Sequence, residues 1–285
     1  MKNYDWLRIL YLILPYFIIV GIFQFIGVLI AGIDVNDLVN KSVEETSFQK
    51  MIISFFDLLG TFFVIWIFMK LVDKKAFVQL GFQIKKRLVD IVIGLFLGAI
   101  IMILAFVGLN FIGEIVHSNT NFDNSELLIS IATFTIVAFV EETLFRGYIL
   151  RNLMSSFNKY IALIISSILF SLMHGANPNI DTFALINLFL AGILLGATYI
   201  HTKNLWFPIA LHLSWNLAQT LVGFNVSGQD VYSIIEFTIA DKNVINGGDF
   251  GFEGTISAVI VMILMIIAIE IYYRKKKTNH NNVQN

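Results

Sequence analysis

Long apolar runs with almost no charge restrict this chain more than any other feature. They are Leu7–Ile33, Met51–Val72, Leu88–Val116, Leu127–Leu150, Tyr160–Gly175, Phe183–Ile200, Leu205–Phe224 and Thr255–Tyr273. In a bilayer core no water satisfies backbone N–H and C=O groups, so a spanning segment must pair them internally. At about 1.5 Å per residue these runs suit helices that cross the hydrocarbon. The sequence is 57% hydrophobic and 14% charged, against about 25% charged in a soluble domain. Its mean hydropathy is +0.79. The expected fold is all-α, a polytopic membrane protein of about eight transmembrane helices.

The loop charges give an orientation. With the N-terminus inside, the cytoplasmic segments hold Lys2 and Arg8; Lys70, Lys74, Lys75, Lys85, Lys86 and Arg87; Arg146, Arg151 and Lys159; Lys203; and Arg274 to Lys277. Only Lys41, Lys50 and Lys242 fall outside. That is the positive-inside pattern, with both termini cytoplasmic. The opposite loops are acidic, from Asp34, Glu44 and Glu45 to Asp230, Asp249 and Glu253. The first run extends well past the apolar region of a signal peptide and reads as an uncleaved helix. The expected organisation is 1–126 for the first three helices, 127–226 for a catalytic core of helices 4–7, and 227–285 for an outer loop, a last helix and a basic tail. The location expected is a bacterial plasma membrane. Nothing in the outer loop from Asn225 to Gly254 declares a role.

The chain has no cysteine, which excludes disulfides, thiolate metal sites and a thiol nucleophile. Net charge is −1 and no basic stripe points to nucleic acid. Oligomeric state leaves no mark on the sequence.

Polar groups inside apolar spans are functional candidates by default, since burying an ionisable group is costly. Glu141 and Glu142 follow the uncharged run from Leu127 to Val140. Glu142 and Arg146 are four apart and can pair on one helix face, which leaves Glu141 unneutralised by that partner. His174 ends the fifth run, where an imidazole serves as ligand, base or donor. His212 and Asn216 share a face of the seventh run, with Gln219 nearby. Asp57, Asp90, Glu114, His117, His201 and His280 are weaker and read as structural or interfacial. Depth raises a difficulty. Counted from Arg151, Glu141 lies about 15 Å inside; His212 lies about 10 Å from Leu205 and His174 about 21 Å from Tyr160. The three meet only if the fifth helix is tilted or starts deeper.

Taken together, Glu141-Glu142-x-x-x-Arg146, Phe170-x-x-x-His174 and His212-x-x-x-Asn216 resemble the CAAX-protease and bacteriocin-processing family of intramembrane proteases, also called the Abi family, over roughly Leu127 to Phe224. The resemblance implies that Glu141 activates a water, and that His174 shares that water or binds a metal. It implies that Glu142 holds Arg146, and that His212 and Asn216 polarise the scissile carbonyl or stabilise the oxyanion. Asn177 matches a further asparagine often found after the second-motif histidine.

The expectation is an intramembrane endopeptidase that cuts a peptide or lipidated protein tail at the cytoplasmic side. There is no cysteine and no Ser–His pairing declares itself, although Ser171 and Ser214 lie close to the candidate histidines in sequence, so a carboxylate-activated water is the nucleophile expected. Metal assistance is also expected, with Zn2+ held by Glu141, His174 and His212 in a three-ligand set. The alternative is a non-enzymatic membrane protein of the same fold, acting in bacteriocin immunity or peptide binding. A proton-coupled transporter is weaker, because no inverted repeat is seen.

Overall fold

The computed structural model describes residues 4–36 and 45–284, with side chains to residue 278. Helix α1 is Leu7–Ile30, α2 Ser47–Val72, α3 Leu88–Phe111, α4 Asn124–Ser156, α5 Lys159–Met173, α6 Thr182–Thr202, α7 Trp206–Leu221 and α8 Ile256–Gln284. Among the described residues, six helices are long and apolar enough to cross a membrane: α1, α2, α3, α4, α6 and α8. The other two, α5 and α7, have 15 and 16 residues. The protein is a polytopic, mainly helical integral membrane protein. A short antiparallel ribbon joins Val116–Thr120 (β1) to Ile235–Thr238 (β2) on the side of the acidic loops.

Local sequence sets the helix starts. Thr46 and Gln49 form a reciprocal capping box at α2. Asp123 caps α4 through the Ser125 and Glu126 amides, Asn158 caps α5, and Asp181 caps α6 through Ala184 N–H. On α1 and α3 the large apolar side chains face outward, among them Leu14, Phe17, Phe96 and Leu104, as lipid contact requires.

Helices pack in a bilayer by close approach, because lipid tails are as apolar as leucine. Gly94 and Gly98 form a small-x-x-x-small stripe on α3 that lies directly against α7. A Cβ on Gly98 would overlap Ser214 Oγ and come within 2.6 Å of the Trp215 nitrogen. Ser214 Oγ in turn donates to the Gly94 carbonyl at 2.9 Å. Gly98→Val is expected to lower the thermal unfolding midpoint in detergent, with overpacking costing about 1–3 kcal/mol or more. An unchanged midpoint would mean that α3 and α7 separate freely.

Helix α4 is not uniform. It is α-helical to Glu142, π-helical over Thr143–Leu150, and α-helical again to Ser156. Every residue of the π-helical stretch is buried. Such insertions of one extra residue into a turn occur mostly at functional sites. At the far end of α4, Asp73 gathers Arg8 at 2.8 Å and Arg151 at 3.8 Å.

Arg146 must leave the list of cytoplasmic loop charges. It is 1% exposed, inside the protein. Helix α4 runs past it to Ser156, so the polar end of the span lies beyond Arg151.

Candidate active site

Glu141 and Glu142 are the last residues of the first α-helical part of α4, and adjacent positions point about 100° apart. Glu142 is fully buried. Its Oε1 accepts from Arg146 Nη1 at 2.8 Å and from His212 Nδ1 at 2.9 Å. Arg146 also donates from Nη2 to the Gly192 carbonyl at 3.1 Å, and its guanidinium lies 4.5 Å from the centre of the Phe170 ring. Gly192 makes that reach possible. A side chain there would press into Ser167 of α5, 2.8 Å from its Cβ, so α5 and α6 close together behind the arginine.

Glu141 turns the other way, into a cavity of about 660 Å³. Its Oε2 is 3.7 Å from His174 Nε2 and 4.0 Å from His212 Nε2. The hydrogen bonds assign both histidine tautomers. His174 Nδ1 lies 2.8 Å from the Phe170 carbonyl, which can only accept, so Nδ1 carries the hydrogen. His212 Nδ1 donates to the Glu142 carboxylate in the same way. In its neutral form each ring then presents the Nε2 lone pair to Glu141. Glu141 Oε2 is itself buried without a hydrogen-bond partner among the described residues. Glu141 Oε2 thus has a ring nitrogen on each of two helices close by, and a hydrogen-bond donor placed beside it would satisfy it. A water bridging Glu141 Oε2 and one Nε2 at the usual 2.8 Å from both fits the 3.7 and 4.0 Å separations, with an angle of roughly 80–90° at its oxygen.

A zinc ion fits less well. Bonds of 2.0–2.1 Å in a tetrahedron would bring ligand atoms to about 3.4 Å from one another. The separations from Glu141 Oε2 are 3.7 and 4.0 Å. Among the described residues no group of three His, Asp or Glu side chains is arranged to hold a metal.

Asn216, one turn beyond His212, is buried and lines the same cavity. Its amide has no hydrogen bond to the described residues and is free to meet a ligand. The two candidate serines are engaged in packing: Ser171 Oγ donates to the Leu185 carbonyl and Ser214 Oγ to the Gly94 carbonyl. Gln219 donates to the Asn225 carbonyl and so ties α7 to the outer loop.

The six motif residues Glu141, Glu142, Arg146, His174, His212 and Asn216 therefore gather on α4, α5 and α7. The depth difficulty dissolves for two reasons. Because α4 extends to Ser156, Glu141 lies 15 positions from its end, as His174 lies 15 positions from Lys159 at the start of α5, so both rise about 22 Å. The turn before α7 is sunk into the protein: Asn204 and Leu205 are buried beneath the segment near Gly81, with Leu205 N–H on the Gly81 carbonyl and Asn204 Nδ2 on the Gln83 carbonyl. Helix α7 thus starts deep, and His212 needs little further rise.

The weaker candidates part company. His201 pairs with Glu270 at 2.8 Å and stacks on Tyr273, far from the cavity. His117 lies in β1, Asp90 pairs with Arg87, and Glu114 accepts from Asn243 and Asn246. The side chain of His280 lies outside the described residues. Asp57 does line the cavity.

Glu253 is the residue that sequence reasoning missed. It is 8% exposed and lines the cavity near the two histidines. Its Oε2 accepts from Ser227 N–H at 2.8 Å and Ser227 Oγ at 2.9 Å. Asn177 donates to the Ser227 carbonyl at 3.1 Å and so holds the same loop against the end of α5. Burial pushes the Glu253 carboxyl above the usual carboxylate range, against the pull of the Ser227 donors and of His174 and His212. The available signal was the cluster Gly247, Gly248 and Gly251. All three have positive φ, which marks a tightly folded loop rather than a solvated tether.

No curated protein matches the chain. Residues 123–218, which carry all three motifs, match the model of the family described as Rce1-like, Type II CAAX prenyl endopeptidase Rce1-like. The match agrees with the resemblance that the three motifs carry to the CAAX-protease and bacteriocin-processing family.

Proposed function

We propose that the protein is an intramembrane endopeptidase that hydrolyses a peptide bond of a membrane-associated or lipidated peptide or protein, using a water activated by Glu141. The observation that carries this reading is the placement of His174 Nε2 and His212 Nε2 at 3.7 and 4.0 Å from Glu141 Oε2 on the wall of one cavity. The family match supports endopeptidase chemistry in general, and with it a peptide or protein substrate.

In this mechanism Glu141 takes a proton from the water, and the water oxygen attacks the carbonyl carbon. His174 orients the water through its Nε2 lone pair. Asn216 donates to the carbonyl oxygen as negative charge grows on it, the task of an oxyanion hole. The proton held by Glu141 then passes to the amide nitrogen as the C–N bond breaks, leaving a carboxylic acid and an amine. Glu142 and Arg146 act one step back: the carboxylate fixes the His212 tautomer, and the arginine neutralises that carboxylate.

The test is cleavage of a panel of lipidated and unlipidated membrane-associated peptides by detergent-purified protein, with products identified by mass spectrometry and Glu141→Gln run alongside. Two proteins that bind a peptide equally and cut nothing would instead support the non-enzymatic immunity or binding reading. The second mechanistic reading, a metal held by Glu141, His174 and His212, draws on the same facing lone pairs. Chelation separates the two. The expected result with a strong divalent chelator is less than about a twofold loss of cleavage, and a loss of the order of a missing catalytic base, about 10²–10⁴-fold, would assign the three residues to a metal.

A further inference from the structure

The cavity occupies one end of the helix bundle only. Its wall comes from the first half of α2 at Lys50 and Ser54, the first two-thirds of α4, the end of α5 at His174, and the loops at Gln229 and Glu253. The basic residues sit at the other end. Lys74 and Lys75 follow α2, Lys85 to Arg87 precede α3, Lys203 follows α6, and Arg274 to Lys277 lie in the second half of α8. None of these lines the cavity. A basic end is the cytoplasmic end. The mouth beside Glu141 therefore opens away from the cytoplasm, not towards it as a cytoplasmic cut would require.

The wall also has a charge. Asp57, Asp230 and Glu253 line it, none of them in an ion pair with Lys or Arg among the described residues. Lys50 is the one Lys or Arg side chain on the described wall. Apolar side chains share the wall, Val137, Val140 and Leu194 among them. With acidic and apolar side chains on one wall, the cavity suits a peptide with matching parts.

We propose that the cavity receives its peptide from the extracytoplasmic face, and that this peptide is amphipathic and cationic, its basic side chains meeting Glu253 and Asp230 while an apolar stretch lies against Glu141. The inference rests on the cavity being the substrate site of the proposed function. It names the side and the substrate class, which the three motifs leave open.

Because the chain lacks cysteine, single-cysteine variants report sidedness without background. In intact bacterial cells a membrane-impermeant maleimide is expected to label Gln229→Cys at the mouth and Ser54→Cys within the cavity. Gln79→Cys, at the basic end, is expected to label only after lysis. The reverse pattern overturns the sidedness. For charge, two peptides share one apolar centre and are flanked by lysines or by glutamates. Their binding is measured on detergent-solubilised Glu141→Gln. The lysine-flanked peptide is expected to bind about tenfold more tightly, the order given by a few partly screened charge pairs. The gap is expected to shrink in Glu141→Gln carrying Glu253→Gln as well. Equal binding of the two peptides overturns the cationic preference. Wild-type protein then separates the two failures. If it cuts both peptides at equal rates, this inference fails and hydrolysis stands. If it cuts neither while the binding difference persists, hydrolysis fails and the inference about side and charge is upheld.

Discussion

Glu141→Gln is expected to abolish peptide cleavage while leaving the protein folded. The carboxylate is the one acidic group of the motifs that faces the cavity without a hydrogen-bond partner among the described residues. Glutamine keeps its shape and volume but cannot accept a proton from water. Loss of a positioned base typically costs about 10²–10⁴-fold in rate. Folding should be spared, because no arginine depends on this side chain; Arg146 is held by Glu142. The measurement is the single-turnover rate on a cleavable peptide, with the thermal midpoint in detergent as control. A variant that cuts within a few-fold of wild type would remove Glu141 from the chemistry. A variant that cuts nothing and also melts early would say nothing particular about catalysis, and Glu141→Asp then serves as the second probe. Its shorter carboxylate keeps the proton acceptor but draws it back from the histidines, so partial activity is expected.

The second large effect concerns stability. Arg146→Met is expected to destabilise the protein by about 3–5 kcal/mol, the cost of leaving a buried charge without its partner. Glu142 is fully buried, and with Arg146 removed only His212 would remain on its carboxylate. The Gly192 carbonyl would lose its donor as well. Methionine keeps most of arginine's volume but stops two bonds short of its guanidinium nitrogens, so a small space beside Phe170 adds to the effect. Replacing both partners should be gentler than replacing one, since two apolar or neutral side chains leave no stranded charge. The thermal midpoint of Glu142→Gln with Arg146→Met is thus expected above that of Arg146→Met alone. If the single variant melts beside wild type, the pair carries no structural weight. The double variant is expected to remain inactive, because the His212 tautomer is no longer imposed by a carboxylate.

Much of this pair could be read in the sequence, and for a simple reason. Four-residue spacing on a helix is a local property, so Glu142 and Arg146 could be matched without knowledge of the rest of the fold. The three histidine and glutamate motifs were also legible as polar breaks in apolar runs. Depth was not legible, because it depends on where each helix starts in space. Arg151 looked like an interfacial charge, yet the helix continues to Ser156, and the turn at Asn204 and Leu205 is buried under a segment from elsewhere in the chain. Arg146 was misplaced among loop charges for the same reason. Glu253 was hidden differently. An acidic residue in a glycine-rich outer loop looks solvated, and only the positive-φ turns around it fold it back on the site.

The π-helical stretch Thr143–Leu150 has a consequence for how this site can vary. It lies between two fixed points of one helix: Glu142, clamped by His212 and Arg146, and Arg151, drawn to Asp73. A regular helix would set the rotation of one clamp from the other rigidly. The surplus residue works as a vernier, letting each end seat in its own partners without forcing the other out of phase. Substitutions within the stretch can therefore be absorbed locally, whereas a change of its length by one residue turns one anchor about 100° from its partners. The spacing between the two anchors is thus under tighter constraint than the identity of the apolar side chains between them.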